Sequence, residues 1–462
     1  MPSTAQRCCR WLIGCWLVLA GASLTYAARP NFVILMTDDQ RYDALSAAGN
    51  TILKTPNIDR LAAEGVHFRN AFVTNALCAP SRASLLTGTY SHTHGVIDNN
   101  QRRIDPALPF LPDLLRQAGY RVAFCGKSHV AGALRDRKWD YYFGFKGQGD
   151  YLRPMLAEGV DGKDKLYDGY MDDVVTDKAV TWLKQQGAEP FCLFLWFKAP
   201  HRSWQRARRH HDLFRDVVIP KPQTYDDDLR GYPGKPRAFA LADNKIGDFA
   251  DVRTVEGMVK DYYATVVAVD ENVGKVLNTL DAMGRAGDTL VMYTSDNGFF
   301  HGEWRLFDKR LMHEPSIRVP LLMRLPKLAR TAVRDEMALN IDIAPTLLDL
   351  AEIEIPVGMQ GRSLKPLLSG GAAPWRKDWL YEYFEFPGVH SVRKHRGVRT
   401  ETHKLIHYYE APEEFELYDL ARDPQERDNL HGRAEYRELE NQLLRRIEEL
   451  RRETDDPDLA RQ

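Results

Sequence analysis

Cysteine is scarce in this chain. Six occur in 462 residues, and three of them, Cys8, Cys9 and Cys15, fall before residue 28. Downstream only Cys78, Cys125 and Cys192 remain, an odd number that argues against a disulfide framework. Long apolar runs are lacking too, for beyond the N-terminus none approaches the ~20 residues that span a bilayer, so no stable membrane span is expected. Nor does either sign of charge prevail. With 63 Lys and Arg against 64 Asp and Glu the formal net charge is −1, so no global field draws the protein to nucleic acid.

The N-terminus carries Arg7 and Arg10, an apolar run from Trp11 to Leu24, and the small residues around Ala27 and Ala28. That is the order of an export signal, so residues 1–28 are expected to be removed and the mature protein to be periplasmic or secreted. Cys15 in Leu12-Ile13-Gly14-Cys15 offers a lipoprotein anchor as the second choice, since little apolar sequence precedes it. At 44% hydrophobic and 27% charged, the remainder has the composition of a globular protein with room for a large and a smaller domain.

Four short apolar runs, Asn31–Met36, Tyr120–Phe124, Phe191–Phe197 and Thr289–Tyr293, have the composition of strands buried on both faces of a mostly parallel sheet. Helix-like segments over Asp173–Gln186 and Val259–Met283 end near glycine. The alternation predicts a doubly wound α/β domain over 29–368. From Pro220 to Asp251 the chain reads as a long loop. Short β-segments at Tyr381–Phe386, Gly397–Thr400, Lys404–Tyr409 and Glu414–Leu420, then a charged amphipathic helix over Ala434–Thr454, predict a C-terminal α+β subdomain over 369–462 with an antiparallel sheet.

Each predicted strand is followed by a polar cluster: Asp38-Asp39, Lys127-Ser-His129, Lys198-Ala-Pro-His201 and Asp296-Asn297. Ligands of open α/β sheets bind outside the carboxyl ends of the strands, so these clusters are expected to share one rim. The two acidic pairs form an oxygen-rich set that suits a hard cation, Ca²⁺ before Mg²⁺, although Asp at strand ends is also common in turns. Lys127, His129 and His201 beside them fit an anion site with a proton donor. Lys309 reads equally as a surface lysine, and the basic run from His201 to His211 as a solvated face or a polyanion rim. Cys78, in Cys78-Ala-Pro-Ser81-Arg82, reads as a buried hydrophobe or as a thiolate at a helix N-terminus beside Arg82.

Cys78-Ala-Pro-Ser81-Arg82 followed by Leu-Thr-Gly88 resembles the signature of the sulfatase family, Cys-x-Pro-Ser-Arg, whose cysteine is oxidised to Cα-formylglycine by a maturation enzyme. The likeness runs through "RPNFVILMTDDQ", "TPNIDRLAAEGVHFRNAFV", "GKSH", "KAPH", "SDNG", "FDKR", "GVRTETHKLIHYY" and "ELYDLARDPQERDNL". It implies an alkaline phosphatase-like fold, and calcium held by Asp38, Asp39, Asp296, Asn297 and the modified Cys78. It also implies sulfate or aldehyde contacts from Arg82, Lys127, His129 and Lys309, with His201 protonating the leaving alcohol. "GFKGQGDY" and "EFPGVHSVRKHRGVRT" resemble sulfatases of 6-sulfated amino sugars, so the expected substrate is a sulfated carbohydrate, with His390, Arg393 and His395 near the sugar or merely in a basic strand and turn. Phosphonate or phosphodiester hydrolysis and non-catalytic glycan binding are the alternatives. One departure stands out: where many relatives read Gly-Glu-His-Gly, this chain has Gly302-Glu303-Trp304-Arg305.

Overall fold

The structure, a computed structural model, describes residues 29–100, 103–130, 134, 137–227, 235–240 and 244–461. The expected signal segment and Cys15 lie outside them. A ten-stranded mixed sheet forms the centre, and its heart is five parallel strands in the order Thr289–Ser295, Asn31–Thr37, Phe191–Trp196, Arg121–Lys127, Tyr141–Phe145. The four anticipated runs are among them, each within a few residues of its expected limits. They lie inside because they are apolar without alternation. Phe32, Val33, Ile34 and Leu35 are all fully buried, each stabilising the fold by roughly 1.5–3 kcal/mol.

Antiparallel strands close both flanks: Leu321–Arg324 pairs with Thr289–Ser295, and Met155–Glu158 pairs with Tyr141–Phe145. Helices Met171–Leu183 and Val255–Ala282 pack on one another, the second started by Thr254, whose hydroxyl accepts the Gly257 N–H at 3.0 Å. Among its described residues the predicted loop is largely loop, with a four-residue helix at Arg237–Ala240.

The C-terminal strands Asp378–Tyr383, His395–Thr400, His403–Tyr408 and Glu414–Asp419 form an antiparallel sheet in chain order. Helix Arg437–Glu453 covers it through Leu443, Ile447 and Leu450. One hydrophobic core runs without a break from Phe32 and Leu86 to Trp379, Val398 and Leu417, so the small sheet is held against the large one by shared apolar burial.

Candidate active site

The carboxyl ends of the parallel strands deliver the chemistry. Asp38 and Asp39 follow Thr37, Asp296 and Asn297 follow Ser295, Lys127 ends its own strand, and Lys198 to His201 follow Trp196. Gly126 lets the Lys127 strand turn at its tip. Its φ of +113° suits glycine alone, and a Cβ there would meet the Trp196 carbonyl oxygen at 1.8 Å. The facing element is helix Cys78–Thr87, all ten residues of which are buried. Its first turn is anchored from afar: Asn340 donates to Ser81 Oγ at 3.0 Å, and Asn99 Oδ1 accepts the Ala79 N–H at 3.1 Å.

Around the helix N-terminus three carboxylates meet three cations. Arg82 bridges Asp38 Oδ2 at 2.9 Å and Asp296 Oδ2 at 2.8 Å, with its guanidinium 5.2 Å from the Trp196 ring centre. Lys127 pairs with Asp38 and donates to Gln148 Oε1 at 2.6 Å. Lys309 donates to Asp39 Oδ1 at 2.5 Å. Burial of this kind is tolerable only because each charge has a partner. Cys78 Sγ lies 3.7 Å from Asp38 Oδ1, and burial together with Asp38 pushes its pKa well up. Burial of this kind disfavours a resting thiolate.

Histidines flank the cluster. Burial and the Lys127 charge hold both His201 and His129 well below the ordinary imidazole pKa, so both are neutral. His201 Nδ1 faces the Arg202 carbonyl, which can only accept, so Nδ1 carries the proton and the bare Nε2 faces Asp39 Oδ2 at 3.7 Å. Two acceptors opposed in this way call for a proton or a cation between them.

The donor set fits such a cation. Oxygen atoms of Asp38, Asp39 and Asp296 lie within 4.8 Å of one another, and Asp38, Cys78 and His201 make a second group of the same tightness. Asp39 Oδ2 and Asn297 Oδ1 are buried and accept no hydrogen bond among the described residues. Burial and the neighbouring carboxylates push the Asp39 pKa up to about 7 and raise that of Asp296, a cost that a divalent ion would offset. All-oxygen carboxylate and amide donors suit a hard ion.

The three C-terminal residues go to different places. His390 lies near Asp308: against the effect of burial, Arg310, Lys309 and His390 together hold the Asp308 carboxyl well below its usual range. His395 is fully buried among the rings of Tyr381, Tyr383 and Tyr408, and burial pushes it down to about 4, so it packs the small sheet and meets no sugar. Arg393 is likewise turned inward, donating to Glu414 Oε2 at 2.9 Å and the Pro412 carbonyl at 3.0 Å. The basic run after His201 is largely matched in place, Arg202 by Asp251, Arg206 by Asp261, and Arg209 by Asp173 and Glu271.

Two further contributors were not singled out as residues in the sequence, although the first lies in the GFKGQGDY stretch. Gln148 sits between Gly147 and Gly149, both at left-handed φ, and reaches in to Lys127, while its carbonyl accepts from buried Lys198 at 3.0 Å. Tyr262 donates to the Asp39 carbonyl at 2.7 Å from 223 residues away. A cavity of about 920 Å³ lies beyond the other end of the Cys78–Thr87 helix, by Tyr90, Gln360 and Trp375, and is lined by none of the cluster. A cleft of about 330 Å³ lined by Asp98, Asn100, Phe386, Lys394 and Tyr409 adjoins Asn99 and the helix start instead.

Comparison with known proteins gives the family. The pattern of the family described as Sulfatase matches residues 30–353, and that of the N-sulphoglucosamine sulphohydrolase C-terminal region matches 302–453. An N-acetylglucosamine-6-O-sulfatase of Bacteroides thetaiotaomicron is 37% identical over 491 aligned positions, covering 93% of this chain and 88% of that protein. The N-acetylglucosamine-6-sulfatase of Homo sapiens is 30% identical across 80% of this chain and 70% of its own length. A solved structure of a protein in complex with its substrate D-glucosamine-2-N,6-O-disulfate matches with a TM-score of 0.87 and 36% identity, over 93% of this chain and 99% of that one. The phosphonate monoester hydrolase of Agrobacterium radiobacter, at TM-score 0.77 and 23% identity over 92% of this chain and 96% of its own, shares the fold alone. With the family pattern spanning most of its length and a 37% identical relative covering 93% of it, the chain belongs to the sulfatase family and is a sulfuric ester hydrolase.

Proposed function

We propose that the enzyme removes sulfate from a carbohydrate, a 6-O-sulfated amino sugar of a glycosaminoglycan or mucin-type glycan, through a formylglycine made from Cys78. The observation that carries the reading is the placing of Cys78 Sγ at a buried helix N-terminus, 3.7 Å from Asp38 and ringed by Arg82, Lys127 and Lys309. The sulfur stands where the hydroxyls of a hydrated aldehyde would be. The relatives with 37% and 30% identity named for N-acetylglucosamine-6-sulfate chemistry support the sugar.

One hydroxyl of the hydrate attacks sulfur, and the bond from sulfur to the sugar oxygen breaks. The alkoxide takes a proton from His201, which must first acquire one at Nε2, as the hydrate's attacking hydroxyl can supply. The second hydroxyl then gives its proton to the again-bare His201 Nε2, the bond from carbon to the sulfated oxygen breaks as the carbonyl reforms, and sulfate leaves. Arg82, Lys127 and Lys309 offset charge on the sulfuryl oxygens in a site where burial makes each interaction strong. Calcium, held by Asp38, Asp39, Asp296 and Asn297, would supply further positive charge to that anion. We assign the sugar contacts to His390 and to the cleft by Lys394 and Tyr409.

Conversion of Cys78 has a timing that follows from packing. The residue and its whole helix are buried, so the maturation enzyme must act before the chain closes over them. Residues 1–28 would direct the export into which that maturation fits, and 29–368 and 369–462 would be the catalytic and C-terminal units. Mass spectrometry of the peptide spanning Cys78 tests the nucleophile: a thiol left intact in active enzyme would refute it. A panel of 2-, 4-, 6- and N-sulfated sugars beside an aryl phosphodiester tests the substrate. Failure on every 6-O-sulfated sugar, or faster phosphodiester turnover, would overturn the assignment.

A further inference from the structure

Trp304 and Arg305, the two residues that depart from the relatives' pattern, occupy unusual backbone. Their φ angles are +51° and +62°, and Asp308 and Arg310 follow at +87° and +89°, so the segment that delivers Lys309 bears four non-glycine residues in left-handed conformations. Nothing local favours this, and tertiary contacts have to impose it. The segment is gripped by the two described ends of the long loop. On one side the Trp304 N–H donates to the Thr224 carbonyl at 3.1 Å. On the other, Ile246 N–H donates to the Arg305 carbonyl at 2.7 Å, Phe307 N–H donates to the Asn244 carbonyl at 2.9 Å, and the Asn244 amide donates to Asp308 Oδ2.

Lys235, from the same loop, supplies the anchor. Its side chain is completely buried, and its ammonium lies 4.1 Å from the ring centre of Phe239, 4.4 Å from Trp304 and 4.8 Å from Tyr418. It donates to Tyr418 Oη at 2.6 Å, His313 Nε2 at 3.0 Å and Glu416 Oε2 at 3.2 Å. One ammonium thus ties the loop, the Gly302–Lys309 segment and the C-terminal sheet together. The Trp304 indole N–H meets no acceptor among the described residues, so the ring face is what the site uses. A histidine in its place would offer a smaller face.

We infer that the Lys235–Trp304 clamp is a positioning device for Lys309: it holds the strained segment in the one conformation that brings the Lys309 ammonium to Asp39 and the sulfate. The inference rests on the reading of Lys309 as a sulfate contact. Neither clamp residue touches substrate, and both act through the backbone between 304 and 309.

The test is steady-state kinetics on a 6-sulfated amino sugar for Trp304→Ala, Trp304→Phe, Lys309→Ala and the double variant Lys235→Met/Glu416→Gln, which avoids leaving Glu416 as a buried lone charge. Each is assayed below its own melting temperature, with folding checked by near-UV circular dichroism. The expectation is a loss in kcat of at least about ten-fold for Trp304→Ala and the double variant, with KM little changed, and recovery to within a few fold in Trp304→Phe, which keeps a ring for the ammonium. Wild-type kcat in folded Trp304→Ala, or equal losses in the Phe and Ala variants, would overturn the clamp. If Lys309→Ala itself keeps wild-type kcat, the assignment of Lys309 fails and takes the clamp with it. If Lys309→Ala is impaired and Trp304→Ala is not, the clamp fails alone.

Discussion

His92 should make the enzyme lose stability as the medium turns alkaline. Both ring nitrogens face acceptors, Nδ1 the Glu382 carboxylate at 2.7 Å and Nε2 the Thr454 carbonyl at 2.9 Å, so the ring has to donate twice and be charged. Burial alone would lower its pKa, but Glu382 and the two hydrogen bonds more than reverse that and raise it from 6.5 to about 9. The side chains are only 4% and 5% exposed, so solvent screens the pair little. The shift corresponds to about 3 kcal/mol tying the end of the Arg437–Glu453 helix and the small sheet to the segment after the Cys78 helix. A raised pKa means that the folded state holds the proton more tightly. The contribution is complete below pH 6.5, declines by about 1.4 kcal/mol per pH unit as pH rises to 9, and is gone above that. Urea unfolding of wild type and His92→Gln at pH 6, 8 and 10 measures it. The stability gap between them should be about 3 kcal/mol wider at pH 6 than at pH 10. A gap that is independent of pH, or that widens with pH, would show the reasoning to be wrong.

Gly126→Ala should abolish activity and sharply lower the melting temperature, because the added carbon would fall 1.8 Å from the Trp196 carbonyl and prise Lys127 from its strand pairing; soluble, active Ala variant would contradict this. Arg82→Lys, which cannot span Asp38 and Asp296 with one planar fork, should lower kcat on the order of 100-fold while the protein stays folded. Retained activity would mean that the bridge is structural only. Dialysis against a chelator should remove activity and lower the melting temperature, and calcium at 100 times its dissociation constant should restore stability by about 2.7 kcal/mol. A melting temperature indifferent to both calcium and magnesium would argue against a cation between Asp39 and Asn297.

What the sequence revealed divides along a physical line. Strands buried on both faces advertise themselves by composition, and their polar followers, Asp38, Lys127, His201 and Asp296, could be assigned to one rim because parallel strands share a carboxyl end. The partners that fix those residues came from other layers. Asn340 holds Ser81 from 259 residues away, and Tyr262 reaches Asp39 from the third turn of a long helix, and neither has any local pattern to mark it. The C-terminal histidines show the converse. "VHSVRKHRG" is basic along the chain, yet strand alternation sends His395 inward against three tyrosines, while Arg393 just before the strand turns in to Glu414, so charge read along a strand says nothing of which face it occupies. Trp304 lies between these cases. The sequence marked it as a departure, but the meaning of the departure depended on Lys235, a loop lysine that any linear reading would leave in solvent and that the fold places inside three rings. A buried lysine in such a cage is legible only once the loop, the Lys309 segment and the small sheet are seen to meet, because its surroundings come from all three.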